Sequence, residues 1–163
     1  MEETIRSILL PGYPSLEYII IDGGSSDETL EVLQRYAPWI DYWESVPDSG
    51  QANAINKGFR RATGQIFQWI NSDDLLAKGA LALVGAQPES RGIIAGGVLN
   101  FGENISLEVI QNFNLDPAVL INSSEQFGFQ QPGMFFRRAV LEEISANQPI
   151  PERYNYIFDW YLV

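Results

Sequence analysis

The sequence contains neither cysteine nor histidine. Without cysteine there is no disulfide framework and no thiol nucleophile, and without histidine there is no Ser-His-Asp triad. The usual zinc sites need one of these two residue types, so we do not expect a structural zinc site. Any proton transfer at a reacting centre must therefore fall to carboxylates, lysine or tyrosine.

Basic residues are also scarce. Ten lysines and arginines face 21 aspartates and glutamates, which gives a formal net charge of −11. A duplex nucleic acid or an anionic membrane surface would meet like charge, so both are disfavoured as partners. The chain has no apolar run of about 18 residues, and no basic segment followed by an apolar one opens it. We therefore expect no membrane span and no signal peptide.

The apolar residues are arranged in alternating helix and strand patterns through the first half of the chain. With 163 residues, 45% of them hydrophobic, the chain is long enough for one globular domain, which we place at residues 1–163. The alternation predicts an α/β domain with a mainly parallel sheet covered by helices. The predicted elements are helices at 4–9, 30–37 and 52–62 and strands at 16–21, 39–44 and 65–70.

Local signals predict how some of these elements begin and end. Ser25 and Glu28 form the S-x-x-E pattern of a capping box before the second helix. Gly64 follows the third helix, where a glycine in the left-handed conformation often ends a helix. A domain of this class normally opens with a strand, whereas this chain opens with a helix. Either the fold begins with a helix or, as we expect, its first strand is missing.

The second half of the chain is less regular. Strand patterns near residues 93–101 and 105–110 can pair with each other, and a third strand pattern contains glutamine, proline and glycine. The predicted elements are helices at 81–84 and 138–144, strands at 93–101, 105–110 and 127–138, and an apolar aromatic segment at 156–163.

Two adjacent carboxylates follow the strand that ends near residue 70, in the sequence N-S-D-D. Asp73 and Asp74 would repel each other unless a cation lies between them, and a hard divalent cation with oxygen ligands is the natural partner. The alternative is an ordinary turn into a helix that Ser72 or Asp74 caps. Residue chemistry alone leaves both interpretations open.

A second polar loop follows the strand at 16–21. Asp22 stands at the strand end, where its carboxylate can accept hydrogen bonds from a nucleobase or a ribose, and Gly23 and Gly24 let a ligand approach the backbone. The alternative is a βα loop that caps the next helix, which is the commoner role for such a segment. The pattern is neither G-x-G-x-x-G nor a P-loop, which disfavours dinucleotide oxidoreductases and P-loop NTPases. Because ligands bind outside the carboxyl ends of parallel strands, Asp22 and Asp73 indicate one crevice.

Three further groups are candidates with weaker support. Gln51 and Asn56 lie on the helix at 52–62 or at its start, where a phosphate is favoured, although a solvated helix face is the commoner explanation for such residues. Gln131 and Pro132 can line a polar pocket, since amides suit sugar hydroxyls, or belong to a simple loop. Asp159 lies between two aromatic residues, which tends to raise a carboxyl pKa and suits a general base. The alternative for Asp159 is an exposed position on a terminal helix.

Taken together, these segments resemble the family-two glycosyltransferases, which are inverting enzymes of the GT-A fold. Residues 18–27, Y-I-I-I-D-G-G-S-S-D, are similar to the family's strand and nucleotide-binding loop. Residues 50–64 are similar to its second signature, and N-S-D-D stands where the family has its D-x-D motif. Residues 131–138, which contain Q-P and F-F-R-R, are also similar. The resemblance covers nearly the whole chain, and the order of its motifs makes it more specific than any single one.

The resemblance implies a three-layer α/β/α fold of the nucleotide-diphospho-sugar transferase type, with its first strand missing. Residues 1–75 would form the nucleotide-binding half and residues 76–163 the acceptor half. The implied reaction moves a sugar from a nucleotide-sugar, specifically a UDP-sugar, to an acceptor hydroxyl, with inversion and with Mn²⁺ or Mg²⁺ as cofactor. The acceptor would be a saccharide or a lipid-linked molecule in surface polysaccharide synthesis. The implied location is cytoplasmic, with peripheral attachment at the inner membrane face as a variant.

The resemblance also implies a role for each matching residue. Asp22 would recognise the nucleobase or ribose, Asp73 would ligate the metal at the diphosphate, and Asp159 would deprotonate the acceptor hydroxyl. Asn71 stands where the first Asp of D-x-D is usual, which removes one charge near the ribose. The other implied nucleotide-binding residues are Gly23, Gln51, Asn56 and Ser72, and the implied acceptor-binding residues are Gln131 and Pro132.

Two alternatives remain. The chain begins after the position of the family's first strand and stops four residues beyond Asp159. It is therefore also compatible with a truncated, inactive module that binds nucleotide weakly or pairs with another chain, for example as a homodimer through an exposed sheet edge. A sugar nucleotidyltransferase has a similar sheet, but it needs a glycine-rich basic loop near the start. Residues 1–15 contain only Gly12 and Arg6 of that kind, so this alternative ranks last.

Overall fold

The structure is a computed structural model that describes residues 1–102, 108–111 and 130–153. Helices and strands alternate along residues 1–95, further strands follow, and none of the described helices is long and apolar enough to cross a membrane. The helices are α1 (Glu2–Leu9), α2 (Thr29–Tyr36), α3 (Gln51–Arg61), α4 (Ala80–Gly85) and α5 (Arg138–Ile144). The strands are β1 (Ile19–Asp22), β2 (Tyr42–Ser45), β3 (Ile66–Phe67), β4 (Ile93–Ala95), β5 (Gly97–Asn100), β6 (Glu108–Gln111) and β7 (Met134–Arg137). Single turns of 3₁₀ helix occupy Ala37–Trp39 and Gln131–Gly133.

Each predicted helix within the described ranges is present, and the strands are shorter than predicted. The strand predicted at 93–101 is two strands, β4 and β5, in different sheets. β3 is a two-residue strand inside the run at 65–70, and beyond it the carbonyl oxygen of Trp69 accepts from the side chain of Gln131. The predicted segment at 156–163, which contains Asp159, lies outside the described residues, as do 127–129 and 105–107 of two predicted strands.

Two predicted helix caps are wrong. The side chain of Ser25 bonds to Asp22 instead of capping α2, which begins at Thr29 without a side-chain cap. Likewise, α3 ends at Arg61 and its C-cap residue is Ala62 in an extended conformation, so Gly64 lies beyond the helix end, where its amide donates to Glu17. In both cases a side chain outside the helix competes with the local cap.

The described strands form three separate sheets, one parallel and two antiparallel. β1 and β2 are parallel, with Asp22 opposite Ser45 at their carboxyl ends, because α2 provides the crossover that parallel pairing needs. β7 lies between β3 and β4 and is antiparallel to both, and β5 and β6 form a separate antiparallel ribbon. The parallel arrangement predicted from the first half therefore applies to β1 and β2. The antiparallel pairs of β3 and β4 depend on β7, whose direction no local pattern encodes.

An aromatic core fixes α3 against the strands. Phe59 of α3 is fully buried, and its ring meets Phe67 edge to face with 5.1 Å between centroids. Trp69 stacks on Phe136 of β7 at 5.6 Å with nearly parallel rings. Such aromatic pairs add to the stabilisation from burial alone. The last turns of α3 are therefore held against the segment that contains β3.

Helix α1 holds that same loop from the other side. The hydroxyl of Thr4 donates to the carbonyl oxygen of Ser72 at 2.8 Å, and the amide of Leu76 donates to the hydroxyl of Ser7 at 3.0 Å. Ile5 and Ile8 on the same helix are buried. These hydrogen bonds from α1 hold the backbone around N-S-D-D, and they do not use the carboxylates of Asp73 and Asp74.

Candidate active site

Three loops that follow β1, β2 and β3 meet at one edge of the fold. The loop after β1 packs on the loop after β2, since a Cβ atom at Gly23 would lie 3.3 Å from Oδ1 of Asp48. The first residue of α3 reaches the loop after β3, where Nε2 of Gln51 donates to Oδ1 of Asn71 at 2.5 Å. The structure therefore brings the predicted segments at 22–27, 48–51 and 71–74 into one continuous polar surface.

The carboxylate of Asp22 accepts hydrogen bonds from its own loop and from the end of β2. Its Oδ2 accepts hydrogen bonds from the amides of Gly24 (3.2 Å) and Ser25 (2.9 Å) and from the hydroxyl of Ser45 (2.5 Å). Its Oδ1 accepts from the hydroxyl of Ser25 at 2.6 Å. A carboxylate has about four acceptor positions, two on each oxygen, so Oδ1 keeps one position beside its bond from Ser25. Asp22 thus organises the loop, and 8% of the residue is exposed.

The pKa of Asp22 shows the balance of these effects. Burial alone would raise the pKa, but the hydrogen bonds from Ser25, Ser45 and Gly24 outweigh burial and hold the pKa below its ordinary value. The carboxylate is therefore ionised at neutral pH and keeps its loop-ordering role there.

Gly24 permits the close packing of the first two loops. A Cβ atom there would lie 3.0 Å from the backbone nitrogen of Pro47, and the φ angle of Gly24 is +88°, in the left-handed region. Only glycine adopts this conformation at low cost. The glycines at 23 and 24 thus serve contact between loops in this structure, in addition to any approach by a ligand.

The N-S-D-D loop carries the best candidate metal ligands. Nδ2 of Asn71 donates to Oδ2 of Asp74 at 3.1 Å, which orients that carboxylate, while Ser72 and Asp73 are exposed. Burial, followed by the negative charge of Asp73, raises the pKa of Asp74. Among the described residues the helix-cap interpretation of Ser72 and Asp74 does not hold, because the next helix begins only at Ala80.

A divalent cation fits this donor set if a ligand completes its shell. No group of three or more acidic side chains in the described ranges lies close enough to hold a metal ion. Mg²⁺, however, is commonly bound by one or two carboxylates together with substrate phosphates and water. The unrelieved repulsion between Asp73 and Asp74 is the feature that a cation would remove.

Two predicted ligand-binding residues have structural contacts instead. Asn56 is fully buried: its amide donates to the carbonyl oxygen of Ile150 at 2.7 Å and to Oε1 of Glu152 at 3.1 Å, and its oxygen accepts from the amide of Ile150 at 3.0 Å. Gln131 is also buried, and its Nε2 donates to the carbonyl oxygen of Trp69 at 2.7 Å. Both side chains therefore have positioning contacts in this structure, and their predicted contact with a ligand stays a prediction.

The remaining predicted acceptor residue, Pro132, contributes a backbone contact. Its carbonyl oxygen accepts from Nε2 of Gln68 at 2.7 Å. Together with Gln131 and Trp69 this bond ties the chain after β3 to the 3₁₀ turn before β7. The turn is thus part of the wall beside the N-S-D-D loop.

Two polar residues of this region, Ser45 and Glu152, were not predicted from the sequence. Ser45 is the polar end of β2 in register with Asp22, so a parallel pairing of the two strands would have identified it. Glu152 accepts hydrogen bonds from Asn53 and Asn56, both at 3.1 Å. Burial would raise the pKa of Glu152, but these bonds and the charge of Arg60 lower it overall. No local pattern indicates Glu152, because its partners lie far earlier in the chain.

Comparisons with known proteins indicate a single protein family. The model of a protein family, described as glycosyl transferase family 2, matches residues 1–145. An uncharacterized glycosyltransferase of Mycobacterium tuberculosis is 33% identical over 97 residues, covering 55% of this chain and 37% of that protein. The putative teichuronic acid biosynthesis glycosyltransferase TuaG of Bacillus subtilis is 36% identical over 86 residues, covering 50% of this chain and 33% of TuaG. The matched segments therefore cover only about a third of the length of these relatives.

A solved structure shares the fold. The crystal structure of S. aureus TarS, residues 1–349, in complex with UDP superposes on 98% of this chain and 48% of that chain, with a TM-score of 0.73 and 17% sequence identity. This match confirms the predicted GT-A fold.

Proposed function

Because the chain belongs to glycosyl transferase family 2, we propose that it transfers a sugar from a UDP-sugar to an acceptor hydroxyl, with inversion and with a divalent metal. The observation that carries this proposal is the meeting of the loops after β1, β2 and β3 at one polar edge, with the acidic pair of N-S-D-D at its surface. Ligands of parallel αβ folds bind at such an edge. We call the loops at 22–25, 46–50 and 71–74 the nucleotide edge.

The charge of the nucleotide edge supports metal dependence. Its three loops contain four aspartates and no lysine or arginine. A nucleotide diphosphate would meet net repulsion there, so its binding requires a cation between the phosphates and the carboxylates. Asp73 and Asp74 would hold that cation, with Asp74 oriented through the Gln51–Asn71 contact. A bound Mn²⁺ or Mg²⁺ neutralises a leaving diphosphate and acts as a Lewis acid.

UDP is the proposed nucleotide because the structural neighbour TarS was crystallised with UDP. Asp159 is the proposed base for the acceptor hydroxyl, since a chain without histidine leaves a carboxylate as the natural choice. We also propose that residues 1–75 form a nucleotide-binding half and residues 76–163 an acceptor half. The role of TuaG in teichuronic acid biosynthesis supports a surface saccharide or a lipid-linked precursor as acceptor.

The test is thermal unfolding with UDP, with Mn²⁺, and with both. A ligand at about 100 times its dissociation constant stabilises the native state by roughly 2.7 kcal/mol, which raises the melting temperature of a domain of this size by several degrees. We expect the rise only when UDP and Mn²⁺ are present together. Asp73→Asn should abolish the rise, whereas Glu89→Gln, the same charge change at an exposed position, should preserve it.

Two outcomes would contradict the proposal. A rise that survives Asp73→Asn would show that the metal is held elsewhere. No rise with UDP and Mn²⁺ in a sample that melts cooperatively would favour the inactive module, and size measurement in solution would then test pairing with a second copy.

A further inference from the structure

An apolar pocket of about 300 Å³ lies between the turn after α1 and the start of α4, outside the nucleotide edge. Its walls are residues 11–14, 76–79, 81 and 82. Apart from the phenol of Tyr13 and the ammonium group of Lys78, the wall residues are apolar, and no carboxylate lines the pocket. The volume is at the small end of the range for ligand pockets, and the proposed function does not use it.

Two exposed leucines border this pocket. Leu10 precedes Pro11 of the wall and is 75% exposed, and Leu83 follows Ala82 of the wall and is 70% exposed. Among the described residues these are the two most exposed large hydrophobic side chains. Single exposed leucines are common on protein surfaces, but two of them beside one apolar pocket indicate an interaction site. We call the pocket together with Leu10 and Leu83 the apolar patch.

The apolar patch is also free of acidic residues. Residues 4–16 and 75–88, which contain the whole patch, include Arg6 and Lys78, whereas all 21 aspartates and glutamates of the chain lie outside these two stretches. Among the described residues Lys78 forms no ion pair, since the three ion pairs there involve other groups. Exposed charges more than about 8 Å apart are largely screened at physiological salt, so a phosphate at the patch would interact with Lys78 more strongly than with most of the carboxylates.

We propose that the apolar patch binds the surface of a phospholipid bilayer. Leu10 and Leu83 would enter the acyl region, while Tyr13 and Lys78 would keep their polar ends at the headgroup phosphates, as tyrosine and lysine do at membrane interfaces. An acyl chain is flexible enough to fill the apolar pocket between them. This inference goes beyond the proposed function and does not rest on it.

The size of the apolar patch favours a lipid over a protein partner. A standard protein–protein interface takes about 20–30 residues from each partner, whereas the patch consists of ten wall residues and two leucines. A bilayer needs no larger complementary surface, because each apolar side chain that leaves water contributes by its own buried area. A second copy of the chain, which would need a larger contact, is therefore one outcome of the test.

The experiment is flotation of the unmodified protein with neutral phosphatidylcholine vesicles. Neutral lipid is chosen because the net charge of −11 would oppose binding to anionic vesicles and mask the apolar contribution. We expect the protein to float with the vesicles, also at high salt, which screens charges but leaves apolar burial in place. The double substitution Leu10→Ser with Leu83→Ser should lower the partition coefficient at least about tenfold, because two leucine side chains no longer leave water.

Further variants separate the apolar patch from other exposed leucines. Leu30→Ser with Leu99→Ser makes the same change at leucines that are 38% and 49% exposed and lie outside the patch. This pair should alter the partition coefficient by no more than about twofold, because its side chains stay in water. Lys78→Glu should weaken vesicle binding, since it places a carboxylate where the headgroup phosphates lie. Urea unfolding of each variant verifies that it is folded.

The remaining outcomes overturn the proposal. Failure of the unmodified protein to float would do so, as would equal losses for the two leucine pairs. A dimer in solution that Leu10→Ser with Leu83→Ser converts to a monomer would show that the patch joins two copies of the chain instead of binding lipid. The rise in melting temperature with UDP and Mn²⁺ should be the same in all of these variants, so vesicle binding can fail while the proposed function stands, and the reverse also holds.

Discussion

Asn56 and Ile150 form a reciprocal pair of hydrogen bonds across 94 positions of the chain. The side-chain amide of Asn56 donates to the carbonyl oxygen of Ile150 at 2.7 Å, and the amide of Ile150 donates back to the side-chain oxygen of Asn56 at 3.0 Å. Both residues are fully buried. The pair therefore replaces water for two backbone groups and joins α3 to the segment after α5.

Asn56→Ala should be strongly destabilising. It leaves a buried N–H and a buried C=O of Ile150 without partners, and each such group costs about 1–3 kcal/mol. We expect the free energy of unfolding, measured by urea titration, to fall by about 3 kcal/mol. Asn53→Ala removes one bond from a half-buried residue to Glu152 and should cost less than about 1 kcal/mol. Equal effects of the two substitutions would refute the special role of Asn56.

Arg138→Ala should destabilise the protein by removing a clamp at the end of α3. The guanidinium donates to the carbonyl oxygens of Phe59, Ala62 and Gly64, and it lies 4.6 Å from the Phe59 ring centroid. We expect a loss of about 2–3 kcal/mol in the free energy of unfolding. Arg138→Lys should recover little, because a single ammonium group cannot reproduce the planar donor set.

The matched control for Arg138 is Glu142→Ala. Among the described residues Glu142, which is exposed, pairs with Arg138 at 3.1 Å, one turn along α5, and such helical pairs are worth about 0.3–0.5 kcal/mol. A loss for Glu142→Ala as large as that for Arg138→Ala would indicate that the ion pair, and not the carbonyl contacts, provides the stability.

The sequence predicted those parts of the fold that depend on local periodicity. The apolar residues Ala52, Ile55, Phe59 and Ala62 recur at helical spacing and form a predicted apolar stripe; the first three are buried and Ala62 is half-buried. The predicted helix at 138–144 is α5, with the same bounds. The direction of β7 was not predictable, since its partner Phe67 lies 69 positions before Phe136 and short apolar runs carry no sign of direction.

The positions of the polar loops could be predicted from the sequence, whereas the hydrogen bonds around them could not. The polar loops at 22–27 and 71–74 lie at the ends of strands, as their positions after apolar runs predicted. Asn56 was interpreted as a ligand contact because it lies off the apolar stripe, whereas the returning chain at Ile150 covers that side of α3. A helical pattern records which face is apolar, not which distant backbone packs against the polar one.

Asp74→Asn should stabilise the protein at neutral pH. Because burial and the charge of Asp73 raise the pKa of Asp74 in the folded state, its ionised form reduces stability at neutral pH. As pH falls through the raised pKa the folded state takes up the proton first, so the penalty declines and vanishes below the ordinary aspartate pKa of about 3.9. We expect an increase on the order of 0.5 kcal/mol at pH 7, small because the group is partly solvated.

The measurement for Asp74 is the urea midpoint as a function of pH. The difference between Asp74→Asn and the unmodified protein should stay constant near neutral pH, shrink as pH falls through the raised pKa of Asp74, and vanish below about 3.9. Asp73→Asn removes only the second cause of the shift and should give a smaller increase. A difference that stays constant with pH would show that the gain does not come from ionisation of Asp74.

Gly24→Ala should cost more than Gly12→Ala, although both glycines have positive φ angles, +88° and +64°. A side chain in the left-handed region costs about 1–2 kcal/mol at either position. Nothing lies within 4 Å of a Cβ atom at Gly12, whereas at Gly24 the backbone nitrogen of Pro47 lies at 3.0 Å and cannot move without its loop. We expect Gly24→Ala to lose at least about 1 kcal/mol more than Gly12→Ala in urea unfolding.

Since the contact with Pro47 holds the loops after β1 and β2 together, only Gly24→Ala should also weaken UDP binding in the presence of Mn²⁺. Equal stability losses with unchanged UDP binding would show that the packing of the two loops is not needed for the nucleotide edge.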